Sequence, residues 1–371
     1  MTTQRSLWVV AVLATLALVL VACDGGGAGA DDPGAEEVGT EEAAEEEVGT
    51  EEAAEEEAGA EEAADERPDV ALSIATGGTG GAYFPFGGAL ASLLSRELSH
   101  VNATAEATGA SVENVRLLEQ GNIELALVQA DAAFEAYNGV GSFEGEPVEL
   151  RSIVAMYPNY MQLVALAESG IATYDDLAGA RVSVGDAGSG VELTLRAIAD
   201  ALGDSFDDFG DVVQFGYNDQ TSAFRNNQID VGNYQGALGL AAITDLSSTT
   251  DITILSFSDE QIDTIVEALP YHGPGVIAAG TYPGVEEDVA VPALWNFIVV
   301  SADMDRELVY EITKTAYENQ EALIAGHPEG ENTTLENVEQ GVVPYHPGAI
   351  DYFEEAGLDL PERSYPDEWD G

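Results

Sequence analysis

Two segments of the chain share one design, in which a short apolar run is followed by a Gly/Ser/Thr loop and then by a run with helical spacing. The first segment has a strand at 70–75, a glycine loop at 76–81 and a helix at 86–98. The second has a strand at 181–185, a loop at 186–190 and a helix at 191–202. Apolar strands that alternate with amphipathic helices predict an α/β fold with mainly parallel sheets.

The rest of the chain continues this alternation. Ser111 is a predicted N-cap of a second helix, and 151–167 reads as an extended crossover that is broken at Pro158. Further strands are predicted at 101–108, 123–128, 211–216, 229–233, 252–257, 275–279 and 294–301, and further helices at 219–227 and 305–325.

Charge excludes two classes of partner. The 371 residues include 69 Asp+Glu and 11 Lys+Arg, for a net charge of −58. Binding to nucleic acid or to anionic lipid requires a cationic face, and so few bases cannot supply one. Because 45% of the residues are apolar, the chain can nevertheless build a large core.

The acidic residues fall into two parts. Residues 23–69 contain the decapeptide EEVGTEEAAE at 36–45, again at 46–55 and in degenerate form at 56–65, and they read as a disordered linker. A solvated spacer and a cation- or protein-binding tail both remain open. From residue 70 onward, 49 acids accompany 9 bases, and Lys314 is the only lysine. This skew favours adaptation to high salt over general surface solvation.

The amino terminus has the pattern of a secretory signal. Arg5 precedes a mainly apolar run at 7–22, which is short for a spanning helix. The run ends in LVAC at 20–23, which resembles a bacterial lipobox, so residues 1–22 are predicted as a signal peptide and Cys23 as the lipidated residue. An uncleaved anchor is the alternative. Either reading places the body outside the cytoplasm and at the membrane.

The two glycine loops indicate a binding site for an anion. Each lies where a strand ends and a helix begins, so free backbone N–H groups and the helix dipole face the same point. Thr79 and Ser189 can add hydroxyl donors. A pair of tight turns is the other reading. The spacing fits neither a P-loop nor a dinucleotide fingerprint.

Nothing in the residues indicates catalysis, a metal or a cofactor. The four histidines form no pair with metal-binding spacing, and Ser189 lacks the first glycine of a nucleophile elbow. Cys23 is the only cysteine. We therefore predict neither an enzyme nor a metalloprotein.

Several motifs together resemble the TAXI-type solute receptors of TRAP transporters. They occur in the family's order from about residue 70 to 357: ATGGTGGAYFPFGG (75–88), TGASVENVRLL (108–118), ALVQAD (126–131), VGDAGSG (184–190), AITDLS (242–247), AGTYPG (279–284) and LVYEITK (308–314). The segment VGNYQ at 231–235 departs from the family pattern, which has an aromatic-rich stretch there.

The resemblance implies a two-lobed fold of the periplasmic-binding-protein type II kind, with a ligand cleft between the lobes. Lobe I would comprise 70–156 and 272–371, and lobe II would comprise 157–271, with hinges near Pro158 and the segment 273–275. The implied ligand-facing residues are Thr79, Gly80, Gly81, Tyr83, Ser111, Gln129, Tyr157, Gly188, Ser189, Gly190, Asn233, Tyr234 and Gln235.

The implied function is that of a lipid-anchored receptor for a small organic anion, such as glutamate or a dicarboxylate like 2-oxoglutarate. The receptor would deliver this solute to a TRAP membrane permease. A sensory binding module and, less favoured, an enzyme on the same fold are the alternatives.

Overall fold

A computed structural model describes residues 68–370, and the predicted signal peptide, Cys23 and nearly all of the predicted linker lie outside this range. The described strands are β1 (Val70–Ala75), β2 (Val101–Glu106), β3 (Leu125–Gln129), β4 (Leu150–Leu166), β5 (Arg181–Ser183), β6 (Asp211–Val213), β7 (Val231–Gly236), β8 (Ile252–Ile254), β9 (His272–Ile277) and β10 (Val289–Ser301). The α-helices are α1 (Tyr83–Glu97), α2 (Ser111–Glu119), α3 (Ala130–Asn138), α4 (Gly190–Leu202), α5 (Tyr217–Arg225), α6 (Ala241–Ser247), α7 (Asp259–Ala268), α8 (Arg306–Glu318), α9 (Gln320–Gly326) and α10 (Pro347–Glu355).

The strands form one mixed sheet in the order β2-β1-β3-β10-β4-β7-β5-β6, with β8 paired to β4 and β9 paired to β10. The α/β fold class is confirmed. Parallel pairing occurs on both sides, where β1 joins β2 and β3, and where β5 joins β6 and β7. The prediction of a mainly parallel sheet is wrong for the centre, because β4 and β10 run antiparallel to each other and to their outer neighbours.

The predicted break at Pro158 is also wrong, because β4 is one continuous strand of 17 residues that includes Pro158. Pro158 lies opposite Trp295, and the register shifts between Trp295 and Phe297. A β-bulge at this point accommodates a residue that has no N–H to donate to the ladder.

The buried apolar residues form separate clusters along this sheet. One cluster includes Leu90, Tyr157 and Ile312, and a second cluster includes Val128 and Phe297. We call the part of the chain that builds these two clusters the first lobe.

A separate core collects most of the buried residues between Met161 and Val291, and we call this part the second lobe. The long strands β4 and β10 contribute residues to the cores of both lobes. Ile277 and Tyr282, which lie in the segment predicted for lobe I, pack in the core of the second lobe.

Two of the differences between the predicted and the observed helix boundaries have a clear cause in the backbone. Ser111 is the first residue of α2 and not its N-cap, because Ala110 adopts a positive φ of 74° and its own carbonyl opens the helix. The long helix predicted at 305–325 is two helices, α8 and α9, because Asn319 leaves helical geometry with φ −118° and ψ 39°.

Candidate ligand-binding cleft

A cavity of about 230 Å³ lies at the carboxyl ends of the parallel strands of both lobes. It is lined by residues that follow β1, β2, β5 and β6, by the ends of β3 and β7 and by two residues of β4. Ligands of open α/β sheets bind at this edge, where loops and helix amino termini converge. Because pockets for drug-sized molecules span roughly 300–1,000 Å³, this cavity fits a smaller solute.

Ten of the thirteen predicted site residues line the cavity. They are Thr79, Gly80, Gly81, Tyr83, Ser111, Gln129, Tyr157, Ser189, Gly190 and Gln235. Gly188, Asn233 and Tyr234 are not among the lining residues.

Asn233 and Tyr234 belong to the scaffold beneath the cavity. The Asn233 amide donates to the carbonyls of Val184 at 3.1 Å and Val191 at 3.0 Å, which holds both ends of the second glycine loop. The Tyr234 side chain is fully buried in the core of the second lobe. Of the three residues predicted in this segment, only Gln235 lines the cavity, and a role of Asn233 and Tyr234 as ligand contacts stays a prediction.

In the second glycine loop, a carboxylate of the protein itself accepts hydrogen bonds near the helix amino terminus. The backbone amide of Gly188 donates to Glu192 Oε2 at 3.2 Å, and Gln214 donates to the same oxygen at 3.0 Å. Ser189 Oγ is the N-cap of α4 and accepts from the amide of Glu192 at 3.2 Å. The carboxylate of Glu192 thus takes the place at the helix amino terminus that the sequence assigned to a ligand.

The first glycine loop is open by comparison. Helix α1 has no acidic residue in its first turn and no side-chain cap. Within the described part of the chain, the amides of Thr79 and Gly80 make no hydrogen bond, whereas Gly81 donates to the carbonyl of Gly78 at 3.0 Å. Unpaired amides in a turn that leads into a helix favour an anionic group.

The lobes approach each other through glycines on both flanks of the cavity. A Cβ added at Gly80 would lie 2.7 Å from Asn218 Oδ1. A Cβ at Gly190 would lie 2.3 Å from Gln129 Oε1 and 2.7 Å from Ser111 Oγ. These contacts join the first lobe to the second, so the structure is a closed arrangement in which a larger residue at either glycine would displace the facing side chains or the lobes.

Three buried tyrosines line the cavity. The hydroxyl of Tyr83 donates to Asn296 Oδ1 at 2.6 Å, and that of Tyr217 donates to the carbonyl of Gln235. The hydroxyl of Tyr157 has no partner within the described residues. Burial raises the pKa of all three, so each stays protonated and remains a donor at neutral pH.

Asn296 connects these groups at the bulge where the strands cross between the lobes. Its oxygen accepts from Tyr83 and, at 2.9 Å, from Asn159, while its amide donates to the carbonyl of Tyr157 at 2.8 Å. One asparagine therefore fixes residues from the start of α1 and from β4, and it positions the cavity lining without being part of it.

The charge of the lining is negative. Asp186 and Asp219 are the charged residues among those that line the cavity, and neither carboxylate has a hydrogen bond or ion pair within residues 68–370. Partial burial, together with repulsion from Asp219, raises the pKa of Asp186.

The sequence analysis missed five polar lining residues: Asn159, Asp186, Tyr217, Asn218 and Asp219. The last three follow β6. They could have been identified by the rule that selected the glycine loops, which is that residues at the carboxyl end of a strand face the ligand site. Asn159 lies two residues after Tyr157 on the same strand, and strand alternation indicates that both face the cavity.

No set of three His, Cys, Asp or Glu residues suited to a metal ion occurs in the part of the chain that the structure describes. Among the same residues, no helix combines the length and apolarity needed to cross a bilayer.

The fold and the cleft define a two-lobed α/β protein of the periplasmic-binding-protein type II kind. The chain belongs to the NMT1-like family, whose profile matches residues 74–357.

Three solved structures illustrate the likeness. The alkanesulfonate-binding protein SsuA from Xanthomonas axonopodis pv. citri, bound to MOPS, is 15% identical over 80% of this chain and 96% of its own, with a TM-score of 0.43. The periplasmic aliphatic sulphonate binding protein SsuA from Escherichia coli is 16% identical over 80% and 95%, with a TM-score of 0.42. PhnD1 from Prochlorococcus marinus, in complex with methylphosphonate, is 10% identical over 70% and 90%, with a TM-score of 0.48.

Proposed function

We propose that this protein is an extracytoplasmic receptor that binds one small organic solute and hands it to a membrane permease. The observation that carries the proposal is the cavity of about 230 Å³, which residues of both lobes enclose. A site built from two lobes couples binding to closure, because a solute that contacts both stabilises the closed state.

The first glycine loop is the proposed contact for a carboxylate. The amides of Thr79 and Gly80 lack partners within the described residues, and Gly81 and Tyr83 complete the same wall. Tyr157, Ser111, Gln129, Ser189, Gly190 and Gln235 are proposed as the remaining contacts. Glutamate-like and dicarboxylate-like solutes both have a carboxylate for this loop.

The two passages between the lobes are the proposed hinge. They lie side by side in β4 and β10, and the register irregularity near Trp295 interrupts their pairing there. A few residues at element junctions can absorb the rotation of one lobe against the other. The lobe boundaries that we propose are 158–160 and 292–293.

The motif resemblance supports a TRAP-type permease as the partner. It also supports a lipid anchor at Cys23, with the acidic segment 23–69 as a spacer between the membrane and the receptor. Transport by a separate permease requires no chemical change in the solute, so the proposal is of binding without turnover.

Thermal unfolding in the presence of small organic solutes tests this function. A solute that binds only the folded protein raises its stability in proportion to the logarithm of its concentration. We expect at least one small carboxylate to raise the melting temperature and to be recovered unchanged. A turnover product, or no stabilisation by any carboxylate, would contradict the proposal.

A further inference from the structure

The charges around the cavity do not match a net anionic solute. The lining contains two carboxylates, Asp186 and Asp219, and no lysine, arginine or histidine. Along residues 70–370 the chain has 9 bases against 49 acids, so no distant excess of positive charge compensates for this lining. Negative charge that enters a partly desolvated cleft with like charges is unfavourable.

The structure also offers fewer places for an anion than the sequence indicated. The helix amino terminus of the second lobe is already occupied by Glu192, which accepts from Gly188. The first glycine loop leads into a helix with no acidic residue in its first turn, so it is the more favourable site for a carboxylate. A second carboxylate on the solute could reach the amides of Gly190 and Val191 only at the helix terminus that already carries the carboxylate of Glu192.

Uncharged polar atoms lie buried in the same cavity. The hydroxyl of Tyr157, the oxygen of Asn159 and both amide atoms of Gln235 have no hydrogen-bond partner within the described residues. All three side chains line the cavity and are at most 3% exposed. Buried polar groups are almost always paired in a working site, so these atoms call for a ligand group that both donates and accepts.

From these observations we infer the class of solute, an inference that rests on the proposed function. We propose that the solute carries no net negative charge. Its carboxylate meets the first glycine loop, a positively charged nitrogen faces Asp186 and Asp219, and an uncharged donor–acceptor group such as a carboxamide reaches Tyr157, Asn159 and Gln235. The class is a zwitterionic amino acid with a neutral polar side chain.

Calorimetric titration with a graded panel tests the inference. Glutamine, glutamate and 2-oxoglutarate share a five-carbon skeleton and an α-carboxylate, but differ in net charge by one unit at each step. The remaining amino acids and succinate complete the panel. We expect the tightest ligand to be net neutral and to bind at least about tenfold more tightly than glutamate, with 2-oxoglutarate weaker still.

The outcomes separate the two proposals. If glutamate or a dicarboxylate binds most tightly, the inference is overturned, while the receptor function stands. If no member of the panel binds, both the inference and the proposed carboxylate contact are overturned.

A double variant and a matched control test the role of Asp186 and Asp219. Asp186→Asn combined with Asp219→Asn keeps the side-chain shape and removes both charges. We expect this variant to bind the neutral ligand about tenfold more weakly and to lose most of its discrimination against glutamate.

Asp211→Asn combined with Asp263→Asn is the matched control, since it makes the same change in net charge at two exposed positions outside the lining. The control should keep the wild-type preference. If both double variants change discrimination equally, the effect is that of overall charge and the proposed contact is wrong.

Discussion

Glu192 Oε2 accepts a hydrogen bond from the backbone amide of Gly188, four residues earlier, at 3.2 Å. The backbone amide of Glu192 in turn donates to the N-cap oxygen of Ser189 at the same distance. These two hydrogen bonds hold the second glycine loop to the first turn of α4. The two loops look alike in sequence, but in the second the amide of Gly188 and the hydroxyl of Ser189 already have partners within the loop and the helix that follows it.

Ser189 is the N-cap of α4 and also a proposed ligand contact, and substitutions can separate these two roles. Ser189→Ala removes the N-cap and should destabilise the protein by about 1 kcal/mol, while Ser189→Gly should cost only a few tenths. Both variants lose the hydroxyl, so both should weaken ligand binding by about 1–2 kcal/mol. Denaturant unfolding and calorimetry measure the two effects. Unchanged affinity in both variants would show that the hydroxyl does not contact the solute.

Gly190 is predicted to control closure. Gly190→Ala places a methyl group 2.3 Å from Gln129 Oε1 and 2.7 Å from Ser111 Oγ, so these buried side chains must move before the lobes can meet as they do here. We expect at least a tenfold loss of affinity and a larger radius of gyration in small-angle scattering. The fold should persist, because alanine favours helix α4 by up to about 1 kcal/mol over glycine.

Gly88→Ala is the matched control for this substitution. Gly88 lies within α1, and an added Cβ would meet nothing within 4 Å. This variant should bind as tightly as the wild type. Equal losses at Gly88 and Gly190 would contradict a specific role for the contact between the lobes.

Asn296 is expected to be important for stability. Asn296→Ala leaves the Tyr83 hydroxyl, the Asn159 amide and the Tyr157 carbonyl without their partner at a buried position. Each such group costs about 1–3 kcal/mol, so the loss should reach about 3 kcal/mol or more in urea unfolding. Asn102→Ala, on the exposed face of β2, should change stability by less than about 0.5 kcal/mol. Similar losses at both sites would refute the role of Asn296.

Asp131 gives stability a dependence on pH. Its carboxylate is fully buried and accepts from Thr194 and from the amide of Ala132, yet burial raises its pKa to about 7. The ordinary pKa of an aspartate is about 4, so the folded state binds more protons than the unfolded state between about pH 4 and pH 7. The contribution of this group therefore weakens as the pH rises across that window and stays constant above it.

Asp131→Asn holds this position neutral at every pH. Unfolding curves from pH 4 to pH 8 should show a smaller loss of stability with rising pH in this variant than in the wild type. The exposed control Asp251→Asn should keep the wild-type slope. Parallel curves for wild type and Asp131→Asn would contradict the raised pKa.

The sequence carried enough information to predict the outer strands, four of the helices that follow them (α1, α2, α4 and α5) and the glycine loops at two of their carboxyl ends. Apolar runs and glycines mark these elements locally. The antiparallel centre was missed because β4 and β10 each span both lobes, and periodicity alone does not reveal the partner of a strand.

The site could be predicted in part for the same reason. Loop residues such as Thr79 and Ser189 follow directly from their place after a strand. The capture of the Gly188 amide by Glu192, the link from Asn296 to Tyr83, and the position of Asp219 depend on side-chain contacts made only once the chain has folded.

Native mass spectrometry of the full chain, purified without denaturation, shows directly whether the closed lobes hold a solute. We expect one small solute per protein molecule, released unchanged on mild activation, and a much lower occupancy in Gly190→Ala than in Gly88→Ala. Protein that shows only its own mass, even after incubation with small carboxylates and amino acids, would contradict the claim that the two lobes close on a solute.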